Sequence, residues 1–133
     1  MIFVDASALI AMVAHEPEAP DLIQRLQEDR LRYCSAISLW ETAAGLSHNY
    51  RYGIGGAREK VAIVKETLSL QIVPIGEREY ELAMNAYAEY GKGRHPAALN
   101  LGDCFAYACA KAHRAALLFK GNDFGQTDVV CAL

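Results

Sequence analysis

The first eight residues constrain the fold of this chain more than any other stretch. Ile2, Phe3 and Val4 form an uninterrupted apolar run, which is typical of a strand buried on both faces of a parallel sheet. Asp5 ends the run, and a helix-favouring stretch from Ala6 to Val13 follows at once. Asp5 is therefore expected at the carboxyl end of a strand, where open α/β sheets bind ligands, although an aspartate there also serves well as a helix N-cap.

Strand-like and helix-like segments alternate along the rest of the chain. We expect further strands at about 33–35, 72–75, 116–119 and 129–130, and helices at about 22–30, 37–48, 61–68, 78–90 and 102–114. A chain of 133 residues with 53% hydrophobic residues is long enough for one core and too apolar to be disordered. The pattern predicts a single α/β domain over residues 1–133, with a central parallel sheet of about five short strands and helices on both faces.

Composition and charge exclude several classes of protein. A net charge of −3 gives no support to broad electrostatic binding of nucleic acid. No apolar run approaches the roughly 20 residues that span a bilayer, and the start lacks the basic flank of a secretory signal. The cysteines, Cys34, Cys104, Cys109 and Cys131, contain no C-x-x-C pair. We therefore expect reduced cysteines, no membrane association and a cytoplasmic location.

Four acidic residues occupy comparable places in the predicted fold: Asp5, Glu41, Asp103 and Asp123. Asp5 and Asp123 follow predicted strands, whereas Glu41 and Asp103 lie in early turns of predicted helices. In a parallel sheet all such points open on one edge. Each acid also has a structural explanation, and for Asp123 it is a Gly-Asn-Asp turn.

The structural explanations for Glu41 and Asp103 are helix caps. Ser38 with Glu41 three residues later matches a capping box, but Ser35 is an equally good N-cap and would leave Glu41 about two turns into the helix. Asn100 can cap the last long helix and place Asp103 in its first turn, where the helix dipole favours an acid. Both alternatives remain open at the level of sequence.

Convergence of these acids would raise their pKa values unless a cation lay among them. Oxygen ligands alone suit Mg²⁺ or Mn²⁺ better than zinc. The four histidines, His15, His48, His95 and His113, show no H-x-x-x-H spacing and offer no competing site. The sequence therefore favours an acidic site for a hard divalent cation.

The chain closely resembles PIN-domain ribonucleases of the VapC type, which are the toxin halves of bacterial toxin–antitoxin pairs. The motifs that carry the resemblance are V-D-A-S-A-L at 4–9, S-L-W-E at 38–41, and the block 90–128, which contains N-L-G-D-C-F-A-Y and L-L-F-K-G-N-D-F-G-Q-T-D. The family's acidic quartet falls on Asp5, Glu41, Asp103 and Asp123. The resemblance covers essentially the whole chain and implies a three-layer α/β/α PIN-like domain.

The resemblance implies metal-dependent hydrolysis of RNA that leaves 5′-phosphate and 3′-hydroxyl ends. Asp5 and Asp103 would be the principal ligands of Mg²⁺, with Mn²⁺ able to substitute. Glu41 and Asp123 would complete the shell through waters or position the attacking water. Asp128 is also acidic and near the pocket edge in such sequences, and we rank Asp123 ahead of it.

Further residues and partners follow from the same resemblance. Ser7 matches the small hydroxyl residue beside the first acid, and we assign it to substrate binding together with Lys92, Arg94 and His95, which cluster in a Gly-rich loop. The expected partners are an RNA substrate, a VapB-like antitoxin whose tail packs on apolar surface near the site, and a second copy of the chain in a homodimer.

Three other classes share parts of this pattern. A haloacid-dehalogenase-like phosphatase needs a second acid two residues after the first, where this chain has Ser7. A receiver-type domain needs an acidic pair after its first strand, but Ala6 follows Asp5, and Lys120 is only a weak match to its lysine. A binding module without catalysis would use the same pocket, and a metal titration on wild type and Asp5→Asn would separate it from a nuclease.

Overall fold

A computed structural model describes all 133 residues. The strands are β1 (Ile2–Val4), β2 (Arg32–Cys34), β3 (Gln71–Ile72) and β4 (Ala116–Leu118). The helices are α1 (Ala6–Val13), α2 (Ala19–Gln27), α3 (Ala36–Asn49), α4 (Ile54–Thr67), α5 (Glu77–Tyr90) and α6 (Leu101–His113), and a single 3-10 turn spans Phe124–Gln126. None of the helices is both long enough and apolar enough to cross a membrane.

The sheet is entirely parallel, with strand order β3-β2-β1-β4. β1 lies between β2 and β4, with Phe3 opposite Tyr33 on one side and Leu117 on the other. This central place explains the uninterrupted apolar run, because Ile2, Phe3 and Val4 are all fully buried.

Two hydrophobic layers cover the two faces of the sheet. Phe3 and Leu117 pack with α5 and α6 in a cluster of 17 buried residues. Ile2, Val4 and Leu118 pack with α1 and α2 in a second cluster of 12 buried residues. Because successive side chains of a strand point to opposite faces, β1 alone contributes to both layers, and the fold is three-layered α/β/α as predicted.

The predicted fifth strand at Val129–Val130 is wrong, and the sheet has four strands. The C-terminal segment does run beside β4, where Leu117 donates to the Val130 carbonyl over 2.8 Å and accepts from Ala132 over 2.9 Å. The segment forms only one bridge, between Leu117 and Cys131, and a single bridge does not make a strand. The third strand also ends at Ile72, earlier than the predicted 72–75.

Candidate active site

Asp5 combines the two roles that the sequence left open. It is the N-cap of α1 at the end of β1, and its Oδ2 accepts from the Ser7 backbone N–H (3.0 Å) and the Ser7 hydroxyl (2.6 Å). The Lys120 backbone N–H, just beyond β4, donates to the same hydroxyl over 3.0 Å. The residue is only 4% exposed, and burial raises the pKa of its carboxyl although the hydrogen bonds from Ser7 oppose the rise.

Glu41 is not part of a helix cap. Ser35 is the N-cap of α3 and forms the capping box with Ser38, through bonds of 3.1 and 2.8 Å between side chains and backbone N–H groups. Glu41 therefore lies in the second turn, half-buried, with its side chain directed toward α6. Burial, followed by the charges of Asp5 and Asp103, raises the pKa of Glu41 to about 7.

Asp103 is the third residue of α6, where it completes the capping box of the N-cap Asn100, and it also belongs to the acidic cluster. Asn100 Oδ1 accepts from the Asp103 N–H (2.9 Å), and Asp103 Oδ2 accepts from the Asn100 N–H (3.1 Å). Burial raises the pKa of Asp103 to about 6, with further contributions from the charges of Asp5 and Asp123. The capping box holds the Asp103 carboxylate beside the other acids, so the structural and the functional interpretations are compatible.

Asp123 and Asp128 occupy different surroundings. Asp123 is exposed and close enough to Asp103 for its charge to raise the pKa of that carboxyl. Asp128 instead accepts from the Tyr107 hydroxyl (2.6 Å) and from Lys111 (2.9 Å), which together lower its pKa. Of the two candidates for the fourth acid, Asp123 is the one that neighbours the acidic cluster.

The predicted substrate-binding residues are placed as follows. Ser7 uses its hydroxyl within the protein, between Asp5 and Lys120. Arg94 is exposed and its guanidinium lies 5.3 Å from the centre of the Tyr87 ring. His95 Nδ1 accepts from the Ala97 N–H, so a neutral His95 carries its proton on Nε2, and its ring meets Tyr90 edge-on.

Lys92 is also exposed, in the same loop as Arg94 and His95. None of the three contributes to the pKa values of Asp5, Glu41 or Asp103. The loop therefore presents its positive charge to solvent and does not neutralise the acids.

The donor set fits a hard divalent cation. All four acids offer carboxylate oxygens, and both hydrogen bonds from Ser7 end on Oδ2 of Asp5, which leaves Oδ1 for a ligand. No lysine or arginine lowers the pKa of Asp5, Glu41 or Asp103. No three His, Cys, Asp or Glu side chains are already spaced as a metal cage, so the fit rests on donor chemistry and uncompensated charge.

Two contributors to this site were missed at the level of sequence. Gly102 leaves room for the Glu41 carboxylate, and the Lys120 backbone N–H orients the Ser7 hydroxyl. A glycine in the first turn of a helix carries no periodic signal, although its place next to Asp103 in N-L-G-D could have suggested a close approach. A backbone donor cannot be recognised from residue type.

Comparisons with known proteins identify the family of the chain. The model of the PIN domain family matches residues 2–130. The chain is 40% identical over 126 residues to ribonuclease VapC30 of Mycobacterium tuberculosis, covering 95% of this chain and 94% of that protein.

Two solved structures share the fold. VapC20 of Mycobacterium tuberculosis, described as a sarcin-ricin loop cleaving toxin, superposes with a TM-score of 0.75 at 20% identity, covering 98% of this chain and 97% of that one. VapBC2 of Rickettsia felis, solved bound to a DNA fragment from its promoter, gives a TM-score of 0.74 at 17% identity, covering 98% and 96%. At these identities the likeness shows the fold alone.

Proposed function

This chain belongs to the PIN-domain family, and we propose that it cuts RNA at the acidic site with a bound Mg²⁺ ion, for which Mn²⁺ substitutes. It is a VapC-type ribonuclease, the toxin component of a toxin–antitoxin system. One observation carries the proposal for the site: Asp5, Glu41 and Asp103 lie together in partly or fully buried positions without a cationic side chain among them. Such a pocket repels a phosphodiester anion unless a metal ion offsets its charge.

Asp5 and Asp103 are the residues that would hold the ion. When bound, the ion supplies positive charge for the scissile phosphate and lowers the pKa of a water molecule. Ser7 fixes the Asp5 carboxylate through Oδ2, and the cap with Asn100 fixes the Asp103 carboxylate. Both side chains are therefore held before a ligand arrives, which reduces the entropy lost on binding.

Glu41 and Asp123 flank this pair and are the groups that would position the attacking water. Neither carboxylate has a lysine or arginine partner within ion-pair distance, so each can accept a hydrogen bond from water. In-line attack on the phosphorus would then give 5′-phosphate and 3′-hydroxyl products.

The loop at 91–98 is the proposed contact for the RNA backbone. Lys92 and Arg94 present positive charge, and His95 presents an N–H donor when its proton is on Nε2. The Tyr87 ring packs against the Arg94 guanidinium in a cation–π contact, which limits the conformational freedom of that side chain. We propose a structured cellular RNA such as tRNA or a ribosomal loop as the substrate, cut in the cytoplasm.

Cleavage and metal binding test the function together. Purified protein should cut RNA in Mg²⁺ or Mn²⁺ and be inactive in EDTA. Calorimetric titration with Mn²⁺ should show binding to wild type and much weaker binding to Asp5→Asn. Binding without cleavage of tRNA or ribosomal RNA fragments would favour a non-catalytic module, and no metal binding at all would contradict the proposed site.

The chain has an antitoxin partner, as the toxin of such a pair, and we propose that a VapB-like tail occupies the groove between α3 and α4. The groove measures about 750 Å³, and seven of its 11 lining residues are hydrophobic. Trp40 and Ile54 are 72% and 73% exposed there, while Arg58 and Lys65 also line it. These features suit a segment with apolar anchors and acidic flanks, seated next to Glu41.

Growth assays test this partner. Expression of the chain alone should stop bacterial growth, and co-expression of a cognate VapB-like antitoxin should restore it. Trp40→Ala combined with Ile54→Ser should remain toxic and escape the antitoxin, because the side chains that contact the apolar residues of the antitoxin are lost. Val130→Ser, which changes an exposed apolar residue outside the groove, is the control and should remain neutralised. Normal growth with abundant, folded, metal-binding protein would contradict the toxin assignment.

We also propose a homodimer through the exposed apolar face of α5 and the start of α6. Tyr80, Met84, Tyr87 and Leu101 line a hollow of about 330 Å³ whose seven lining residues are all hydrophobic. A hollow with an entirely hydrophobic lining can pair with its own copy around a two-fold axis. Sedimentation should give a dimer for wild type and a monomer for Met84→Lys, whereas Ile63→Lys, at an exposed site on α4, should remain dimeric.

A further inference from the structure

Gly102 occupies an unusual position in the acidic site. It is buried at the second position of α6, and the carboxylate of Glu41 fills the space where its side chain would stand. A methyl group at this position would overlap the carboxylate carbon and both carboxylate oxygens of Glu41. Because the backbone at Gly102 is helical and lacks a positive φ, the conformation itself does not require glycine.

We propose that Gly102 is a positioning residue, whose bare backbone lets the Glu41 carboxylate lie against the first turn of α6, next to Asp103. The inference rests on the proposed function, because it concerns one of the acids of that site. α3 carries Glu41 and α6 carries Asp103, so the space at Gly102 sets how closely the two carboxylates approach. The first turn of a helix also favours a negative charge.

A purely structural role would give a different response to substitution. The atoms that an alanine at 102 would meet belong to the far end of a flexible side chain, and Glu41 is only half-buried and can turn outward. Alanine is also a better helix former than glycine. Gly102→Ala should therefore melt at or above the temperature of wild type, while its site loses the placement of Glu41.

α4 provides a matched control. Gly55 is the second residue of that helix, as Gly102 is of α6, and a side chain at Gly55 would meet no atom within 4 Å. Exposed apolar residues precede both glycines, with Ile54 73% and Leu101 67% exposed. Gly102→Ala should lose about 10- to 100-fold in the rate of RNA cleavage, the range for residues outside the ligand shell, because Glu41 positions the attacking water. Its Mn²⁺ affinity by calorimetry should fall by a smaller factor, because Glu41 does not hold the ion itself. Gly55→Ala should match wild type in both.

A double-mutant cycle shows whether Gly102 acts through Glu41. Glu41→Asp shortens the side chain, so its carboxylate should stop short of a methyl group at position 102. Gly102→Ala should then cause little further loss of Mn²⁺ affinity or of cleavage in the Glu41→Asp background. Because Mn²⁺ affinity is measured by calorimetry, the cycle can be read even where cleavage is slow.

Several outcomes would overturn the proposal. Wild-type affinity and cleavage in Gly102→Ala would show that the space is not needed, and this result would leave the proposed function intact. An equal loss in both Glu41 backgrounds would show that Gly102 acts on something other than Glu41. A melting temperature well below that of Gly55→Ala would indicate a packing role. Full cleavage by Glu41→Ala would instead overturn the proposed site, and this inference with it.

Discussion

Carboxylates stand in two opposite kinds of surroundings in this molecule. In the acidic site, burial and neighbouring acids raise the pKa values of Glu41 to about 7 and of Asp103 to about 6. In two other clusters a carboxylate accepts from one lysine and one tyrosine, which lowers its pKa: Glu16 from Lys120 and Tyr50, and Asp128 from Lys111 and Tyr107.

The difference shows where the fold supplies its own cations. Lys120 forms an ion pair with Glu16, and Lys111 forms one with Asp128, so each lysine neutralises an acid outside the site. The acids of the site have no such partner, although the Lys120 backbone lies one hydrogen bond from Ser7. The lysine side chain is directed to Glu16 and Glu18 instead. The site that binds a metal ion in our proposal therefore contains no lysine side chain that could neutralise its acids.

Neutralising a site carboxylate should give the largest effect. Asp103→Asn keeps an oxygen for the cap with Asn100 but removes the charge. Cleavage should fall on the order of a hundredfold or more, because several kcal/mol of transition-state stabilisation are lost. Glu16→Gln, the matched change in a lysine–tyrosine cluster, should leave the single-turnover rate near wild type.

Circular dichroism is the control for this comparison and should show intact folds for both variants. Full cleavage by Asp103→Asn would place the site elsewhere. An equal loss in Glu16→Gln would show that the two kinds of surroundings do not differ in function.

The second test compares the two acids of the loop after β4. Asp123→Ala should weaken cleavage by about tenfold, as expected for a residue that orients water or a ligand. Asp128→Ala should weaken it less, because that carboxylate is already bound to Tyr107 and Lys111. Both variants should remain more active than Asp5→Ala in the same Mg²⁺ series. The reverse order of the two would move the fourth acid to Asp128.

These comparisons also show what could be predicted from sequence. The central strand and the placement of Asp5 could be predicted, because a strand buried on both faces has an unbroken apolar run. The choice between Ser35 and Ser38 as N-cap could not, because both are good caps and the register of α3 depends on packing. The prediction of a fifth strand was wrong because two adjacent apolar residues indicate burial, as found for Val129, but do not indicate how many bridges the segment forms.

The acidic site could be predicted from the sequence only in part, for a similar reason. That four acids would occupy one sheet edge follows from the order of strands and helices. The partners of Asp128 lie 17 and 21 residues away on α6, and the space at Gly102 depends on the approach of α3. Such contacts arise from tertiary packing and leave no local pattern.

The third test uses pH. Glu41 has an ordinary pKa of 4.5 and a folded-state pKa of about 7, so between these values the folded protein holds more protons than the unfolded chain. Its contribution to stability is full below 4.5 and is lost as pH rises through 7. Allowing for partial solvation, metal-free protein should be about 1 kcal/mol less stable at pH 8 than at pH 6, which is a few degrees in melting temperature.

In our proposal Mg²⁺ binds only the folded site, so it should reverse this loss. Melting curves should therefore show a larger increase with Mg²⁺ at pH 8 than at pH 6. Asp103→Asn should respond less to both pH and Mg²⁺, since one of the crowded charges is gone. Melting that ignores Mg²⁺ at every pH would mean that the acids do not form one site.

The smallest effect should come from the paired carboxylates, and its pH dependence should have the opposite sign. The hydrogen bond from the Tyr107 hydroxyl, and next the one from Lys111, hold the pKa of Asp128 below its ordinary 3.8. These contacts stabilise the fold above that value, and their contribution is lost as pH falls through the folded-state pKa. Lys111→Met should reduce the free energy of unfolding by no more than about 1 kcal/mol at pH 7, because both groups are partly solvated. In urea titrations the difference from wild type should shrink toward pH 3, and the response to Mg²⁺ at pH 8 should be unchanged. A Lys111→Met variant with an altered response to Mg²⁺ would show that Asp128 and Lys111 are electrostatically coupled to the acidic site. The distinction between acids paired with a lysine and the unpaired acids of the site would then no longer hold.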